Sequence, residues 1–577
     1  MADDSADPRR EHRTDPPPIE QAPSTLPPPA APEAPGAPVS LARATAVMSV
    51  GTAASRLTGF VRLAVIAWAI GGTESKLPDT YNLANSMPNI VYQLVLGEIL
   101  ATVFVPVFIE YITTRDRDES WRLASTILNL AIIFSVGASV LTVLAAPWLI
   151  QIYTFRVEDP VLRAQQQEVG AFFLRLFLPQ MIFYAAGAVL TGLLNAHRRF
   201  AAPMFAPVLN NLIVMGSFIA FRMMHGGDVP TLTTLTLGDK LLLGGGTTAG
   251  VIAMTVVLWP YVRRLPGRYR IRDLQWRHPA IRHVGNLARF SLGYVIVNQI
   301  GLWVVFMLAN GVQGGVSAYN SAWILYQLPY GIFAVSIMTA LVPNLSEHHV
   351  RGDAAAFRRD LSLGLRTTAF IVFPAAAGFV ALSEPIIRLL LEHGVFGVGS
   401  TELFADTLAL MAVGLAAYAA FQQLMRAFYA RQDTRTPWIV NIIAVATTVA
   451  TAIPAFAVLG VPGLGLAHAL TYIVGTIVGG AILRRRAGGL DGARLASSHL
   501  RIGLASIATG LVAWVVAEGL GDVVAVQTLG GQLAQVSVAM VAGLVTYAAS
   551  TKALRVEEFD GFIALLARRF RRRGRTA

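Results

Sequence analysis

Fourteen long apolar segments joined by short loops constrain this 577-residue chain more than any other feature. Their approximate limits are 44–71, 79–112, 123–150, 168–195, 202–221, 241–262, 284–310, 317–346, 360–383, 403–429, 437–459, 462–483, 502–518 and 529–551. A helix crosses the hydrocarbon core in ~20 residues, and most of these runs are long enough. Backbone in hydrocarbon must satisfy its own hydrogen bonds, so each run is predicted to be helical. The fold class expected is therefore an all-α polytopic membrane protein with fourteen transmembrane helices. Only 14% of residues are charged, where a soluble chain carries about 25%, and an ordinary globular enzyme is excluded.

Charge in the loops supports the same count. With the N-terminus inside, 34 of the 46 Lys/Arg fall in cytoplasmic segments and 6 in the opposite loops, a positive-inside asymmetry that an odd number of spans would scramble. Both termini are expected in the cytoplasm. The net charge of +12 thus belongs to topology, and no nucleic-acid partner is expected. Residues 1–42 hold eleven of the thirty prolines and are expected to form a disordered cytoplasmic tail. Residues 554–577 form a basic tail ending "RRFRRRGRTA", expected to contact anionic membrane lipids.

The chain also repeats. "YAAGAVLTGLLNAHRRFAAP" (184–203) and "YAAFQQLMRAFYARQDTRTP" (418–437) each run nineteen residues from Tyr to Pro at an offset of 234. Each covers the end of one span, a basic turn and the start of the next. The repeat unit is then six helices, and two such units in the same orientation imply lobes related by a pseudo-twofold axis along the membrane normal, with a path between them. The expected organisation is an N-terminal lobe over 43–264, a C-terminal lobe over 282–486, and a further helix pair over 498–553.

Motifs for soluble chemistry are lacking. The sequence has no phosphate loop, no HExxH and no GxSxG, no cysteine, and lysine only at 76, 240 and 552. No cofactor and no metal is expected, and His348 and His349 read as a solvated loop. Transport by such a chain would draw on the membrane potential or an ion gradient, the ion being unspecified. The informative residues are charges inside spans. Arg56 and Arg62 would each cost ~2.5–3.5 kcal/mol at mid-membrane, which calls for a partner or a polar cavity, unless they snorkel to the headgroups. They lie about 9 Å and 120° apart on an ideal helix, and Gly59 between them would permit a bend. Asp79, after Pro78, reads as a helix N-cap or as a periplasmic gate partner for one of these arginines. Glu98, near mid-span, needs a proton, an arginine or water. Arg289 opens the seventh span. Arg175 reads as paired to another helix, Arg366 and Arg426 as snorkelling, and Asp406 completes the set.

Taken in order, "SRLTGFVR", "PDTYNLANSMPNIVYQLVLGEILATVFVPVF", "LPYGIFAVSIMTALVPNLSEH", "LLLEHGVFGVG" and "AFYARQDTRTP" resemble the MurJ/MviN lipid II flippases of the multidrug/oligosaccharidyl-lipid/polysaccharide exporter superfamily, over about residues 43–553. The resemblance implies a transporter, not an enzyme. It would carry the undecaprenyl-pyrophosphate-linked peptidoglycan precursor from the cytoplasmic to the outer leaflet of the plasma membrane by alternating access, with the last two helices forming a lipid-tail groove. It implies substrate-binding roles for Arg56 and Arg62 in a cationic cavity and matches Asp79 to the family's second-helix aspartate; Asp79, Glu98 and Arg289 are the gate or cavity candidates, the last two on their own charge and position. Besides the lipid-linked precursor, it makes cell-wall synthesis and division proteins candidate partners. The departures are Tyr92 and Ile324 where many members have arginine, Gln327 where many have glutamate, and Glu98 one place out of register. Spans 7, 11 and 12 lack the acids of a sodium site. The alternatives are an exporter of another polyprenyl-linked glycan, a multidrug antiporter, a polyprenyl-dependent transferase and a non-transporting scaffold.

Overall fold

A computed structural model describes residues 41–94, 117–197, 199–228, 230–267, 269–271, 273–275 and 279–561, with side chains left undescribed at 41–47, 49, 117 and 279–291. The described residues are helical with no strand. In the first half of the chain the helices are α1 (Leu41–Ile70), α2 (Leu77–Tyr92), α3 (Arg117–Leu144), α4 (Ala146–Thr154), α5 (Pro160–Phe177), α6 (Gln180–Ala196), α7 (Ala201–His225), α8 (Leu237–Val256) and the short α9 (Trp259–Arg263). The second half carries α10 (Pro279–Ala309), α11 (Gly315–Pro329), α12 (Val335–Val350), α13 (Ala354–Ala381), α14 (Ser383–Leu391), α15 (Val398–Ala412), α16 (Leu415–Ala430), α17 (Arg435–Leu459) and α18 (Val461–Arg486). After these come α19 (Gly492–Gly521) and α20 (Leu529–Ala553).

Twelve helical stretches among the described residues are long and apolar enough to cross a membrane, and α15 with α16, bent by 47°, makes a thirteenth. Each coincides with one of the apolar segments, and the remaining segment, 79–112, is described only to residue 94, as α2 and two further residues. The protein is a multi-pass membrane protein. Residues 1–40, much of the second span and the basic end of the C-terminal tail lie outside the described residues.

Local chemistry sets the helix ends. Asp159, Thr236, Asp353 and Thr528 cap α5, α8, α13 and α20, each accepting a backbone N–H that the first helical turn leaves open. Pro179 interrupts α5 and α6 within a 37-residue stretch, Pro160–Ala196. At 1.5 Å per residue it is ~55 Å long, so it overruns the ~30 Å hydrocarbon core and projects beyond it.

The repeat seen in sequence extends further in the fold. Both α6 and α16 end, at Ala196 and Ala430, four residues before the next helix; α7 and α17 each run 25 residues. Both stop at glycines with positive φ, Gly226 at 59° and Gly460 at 64°, a backbone region that an L side chain disfavours. The offset of 234 therefore holds from Tyr184 to Gly226. Outside the repeat, α19 packs on α13 and α20, and α20 also reaches α14. Arg366 of α13 is buried against residues that follow α20, 3.0 Å from Glu557 and 3.1 Å from the buried Glu558. This corrects the expectation that Arg366 snorkels.

Candidate functional site

α1 runs unbroken through Gly59, and Arg56 and Arg62 are half-buried while Leu57 and Val61 are exposed on another face. Beside Gly59 lies Asn211 of α7, whose amide donates to the Ser55 carbonyl at 3.3 Å and to Thr58 Oγ1 at 3.0 Å. Arg62 lines a cavity of about 570 Å³ between the two halves of the chain. With Arg56 it also lines a second cavity of about 450 Å³ formed by α1, α7 and α11. Arg62, Trp323 and Ile324 border both, so Arg62 stands where the two compartments meet. Neither arginine has an ion pair among the described residues, and each borders a cavity, where the counter-charge that hydrocarbon demands is not required.

Arg56 reaches across to the second half. Between α11 and α12 lies a π-helical segment, Tyr330–Ala334, the kind of defect expected where Pro329 withholds a backbone donor. A Cβ placed on Gly331 would sit 2.7 Å from the Arg56 guanidinium, so only glycine leaves that space free.

The walls of the larger cavity are chiefly neutral and amide-rich. Asn82, Asn85, Ser86, Asn89 and Gln93 follow one another along α2 and just beyond it, at the i, i+3, i+4, i+7 spacing of a single helical face. Asn210, Asn298, Gln299, Asn320 and Asn441 face them from other helices. Tyr81 hydrogen-bonds Thr247 at 2.7 Å, held edge-on by Phe173, Phe177 and Phe218. Tyr319 meets His468 Nδ1 at 3.0 Å, and Trp323, Tyr326 and Tyr472 surround that imidazole. Among the described lining residues Arg62 is the single charged one, so the expected cationic cavity is sparsely charged. The polar stripe of α2 was visible in the sequence as asparagines at helical spacing within an apolar run, and sequence reasoning passed over it.

One end of the cavity is closed by charge. Lys76 Nζ donates to Asp79 at 2.8 Å and to the carbonyls of Asn310 and Val312 at 2.8 and 2.9 Å. Asp79, fully buried, accepts from Gly314 N–H at 2.8 Å and from both the N–H and the hydroxyl of Ser317 at 3.0 Å. Asp79 therefore supplies the cap not of its own helix but of α11, from across the interface, and its ionic partner is Lys76, not an α1 arginine. Glu74 adds to the closure, accepting from Gly397 N–H at 2.6 Å and Ser400 Oγ at 2.7 Å.

The other charges lie elsewhere. Glu98 is outside the described residues, as is the side chain of Arg289. Arg175 is exposed and has no ion pair among the described residues. It lies 21 residues, ~31 Å, from the end of α6, a distance that puts it near the far boundary of the hydrocarbon, where pairing is not required. Asp406 is exposed, Arg426 is half-buried and lines neither cavity, and His348 Nε2 contacts Asp360 at 3.0 Å.

A family model described as "Lipid II flippase MurJ" matches residues 69–525. A "Probable lipid II flippase MurJ" of Rhizobium meliloti is 28% identical over 436 residues, covering 74% of this chain and 78% of its own. A "Lipid II flippase MurJ" of Burkholderia cenocepacia is 28% identical over 412 residues, covering 69% and 75%. Among solved structures, "Lipid II flippase MurJ, inward closed conformation" superposes with a TM-score of 0.68 at 21% identity, covering 88% of this chain and 99% of that one. An inward-facing multidrug resistance MATE transporter superposes with a TM-score of 0.63 at 15% identity, covering 77% and 99%. The last two establish likeness of fold.

Proposed function

Because the chain belongs to the lipid II flippase MurJ family, we propose that it carries a polyprenyl-diphosphate-linked peptidoglycan precursor across the plasma membrane by alternating access, without converting it chemically. The observation that carries this reading is Arg62, without an ion pair among the described residues and lining both of two adjoining cavities between the halves of the molecule. A guanidinium makes bidentate, charge-assisted bonds to phosphate oxygens, and Arg56 supplies a second one at the smaller cavity. The lipid tail would stay in the bilayer beside α19 and α20.

In this reading residues 43–264 and 282–486 are the two moving lobes, both termini are cytoplasmic, and Lys76–Asp79 closes the outer side. The cavities extend from that closure toward Thr52 and Ser55 in the N-terminal half of α1, the geometry of an inward-facing state. The basic tail would rest on anionic lipids. With no nucleotide-binding motif, the driving force we infer is the membrane potential or an ion gradient.

The test is translocation of a fluorescent precursor in vesicles reconstituted with purified protein, with and without an imposed potential. Signal that depends on the protein and is lost in Arg62→Ala supports the reading; equal signal from empty vesicles refutes it.

A further inference from the structure

The two cavities hold little charge for a ligand of this kind. Among their described lining residues Arg56 and Arg62 are the charged side chains, and no carboxylate or lysine joins them. A diphosphate diester carries two negative charges, which these two guanidiniums match, and the other described lining residues carry no charge for a further anion. They offer amide, hydroxyl and ring groups. Asn82, Asn85, Asn89, Asn320 and Asn441 line the larger chamber, carboxamides that can both donate and accept hydrogen bonds.

Neutral dipoles can satisfy hydroxyls, N-acetyl groups and carboxamides fully. They cannot cancel a net charge once the chamber is closed to bulk water, where an uncompensated carboxylate is disfavoured. Ile324 and Tyr92, partly exposed at or beside this wall, are apolar and phenolic and add no compensation.

Resting on the transport reading above, we propose that this chamber selects headgroups that are nearly uncharged beyond their diphosphate: N-acylated sugars whose stem-peptide carboxylates are absent or masked as carboxamides. The diphosphate sits at Arg62 and Arg56, and the saccharide and peptide amides occupy the asparagine-lined space.

Full-length protein in vesicles would be given three polyprenyl-diphosphate disaccharides: one without peptide, one with a carboxamide-masked stem peptide, one with free carboxylates. The first two should move about tenfold faster than the third, the factor that ~1.4 kcal/mol represents. Ile324→Arg, which adds a guanidinium to the wall shared by both cavities, should narrow that ratio; Asn320→Arg, on the wall of the larger cavity, serves the same purpose if the first variant fails to fold. Equal rates for the three substrates, or a ratio that neither folded variant changes, would overturn the proposal and leave the transport reading standing. Movement of none of them would overturn both.

Discussion

At the scale of single residues, the structure separates charges that line cavities from those paired within the protein, although all look alike in sequence as ions inside spans. Arg62→Ala should abolish translocation and complementation of a flippase-depleted strain while the protein still reaches the membrane. Arg62→Lys should restore only part of it, since a point charge replaces a planar fork. Gly331→Ala should also impair transport with little loss of stability, because the added methyl displaces the flexible end of Arg56 and not backbone; a large fall in melting temperature would show that the glycine serves packing instead. Arg56 and Arg62 could be chosen from sequence because a cation in an apolar run is conspicuous. Lys76 could not, because the carbonyls it binds lie 234 and 236 residues away. The pairing depends on the approach of two distant segments that no local pattern encodes.

At the scale of elements, helices were legible wherever hydrocarbon dictates them, and the repeat was legible where its turn chemistry is exposed. The repeat's continuation to Gly226 and Gly460 was visible only as one matched glycine among 51, and it took the positive φ of both to mark it as the same helix end. The C-terminal segment was likewise misjudged: Arg366 sits near a span end, where snorkelling is usual, yet Glu557 and Glu558 fold back to it. Replacing both acids with alanine leaves a buried guanidinium without a counter-charge and should cost about 3 kcal/mol, read as a lower melting temperature in detergent. Hydrogen bonds from Arg494 and then Arg366 hold the Glu557 carboxyl below its ordinary value of 4.5. Its folded value being depressed, its contribution is complete above the ordinary value and disappears as pH falls through the lowered one. Proteolysis near residue 557 should therefore stay slow at neutral pH and quicken only in acid, once the pH is below the ordinary value of 4.5.

At the scale of the whole molecule, closure at one end and adjoining cavities toward the other define a single state of a transporter that must have two. Asp79→Asn removes the charge that pairs with Lys76 while keeping the shape, and should weaken the closed end by about 3 kcal/mol. The chain has no cysteine, so a single thiol at Asn85 reports access directly: an impermeant reagent should label it from the cytoplasmic side in the parent and from both sides after Asp79→Asn. Unchanged one-sided labelling would remove Asp79 from the gate. The pairing of halves was foreseeable from the repeat; the state was not, since composition and spacing are identical in every conformation.

The closure joins side chains of one half chiefly to main chain of the other, with Ser317 Oγ and Ser400 Oγ among its side-chain partners. Lys76 grips carbonyls, and Asp79 grips amides. A bolt whose keeper is peptide backbone is indifferent to what that keeper displays outward. Val312 can thus exchange its side chain without loosening the grip on its carbonyl, whereas Gln313, whose amide donates to the Thr73 carbonyl at 2.7 Å, and positions 76 and 79 cannot.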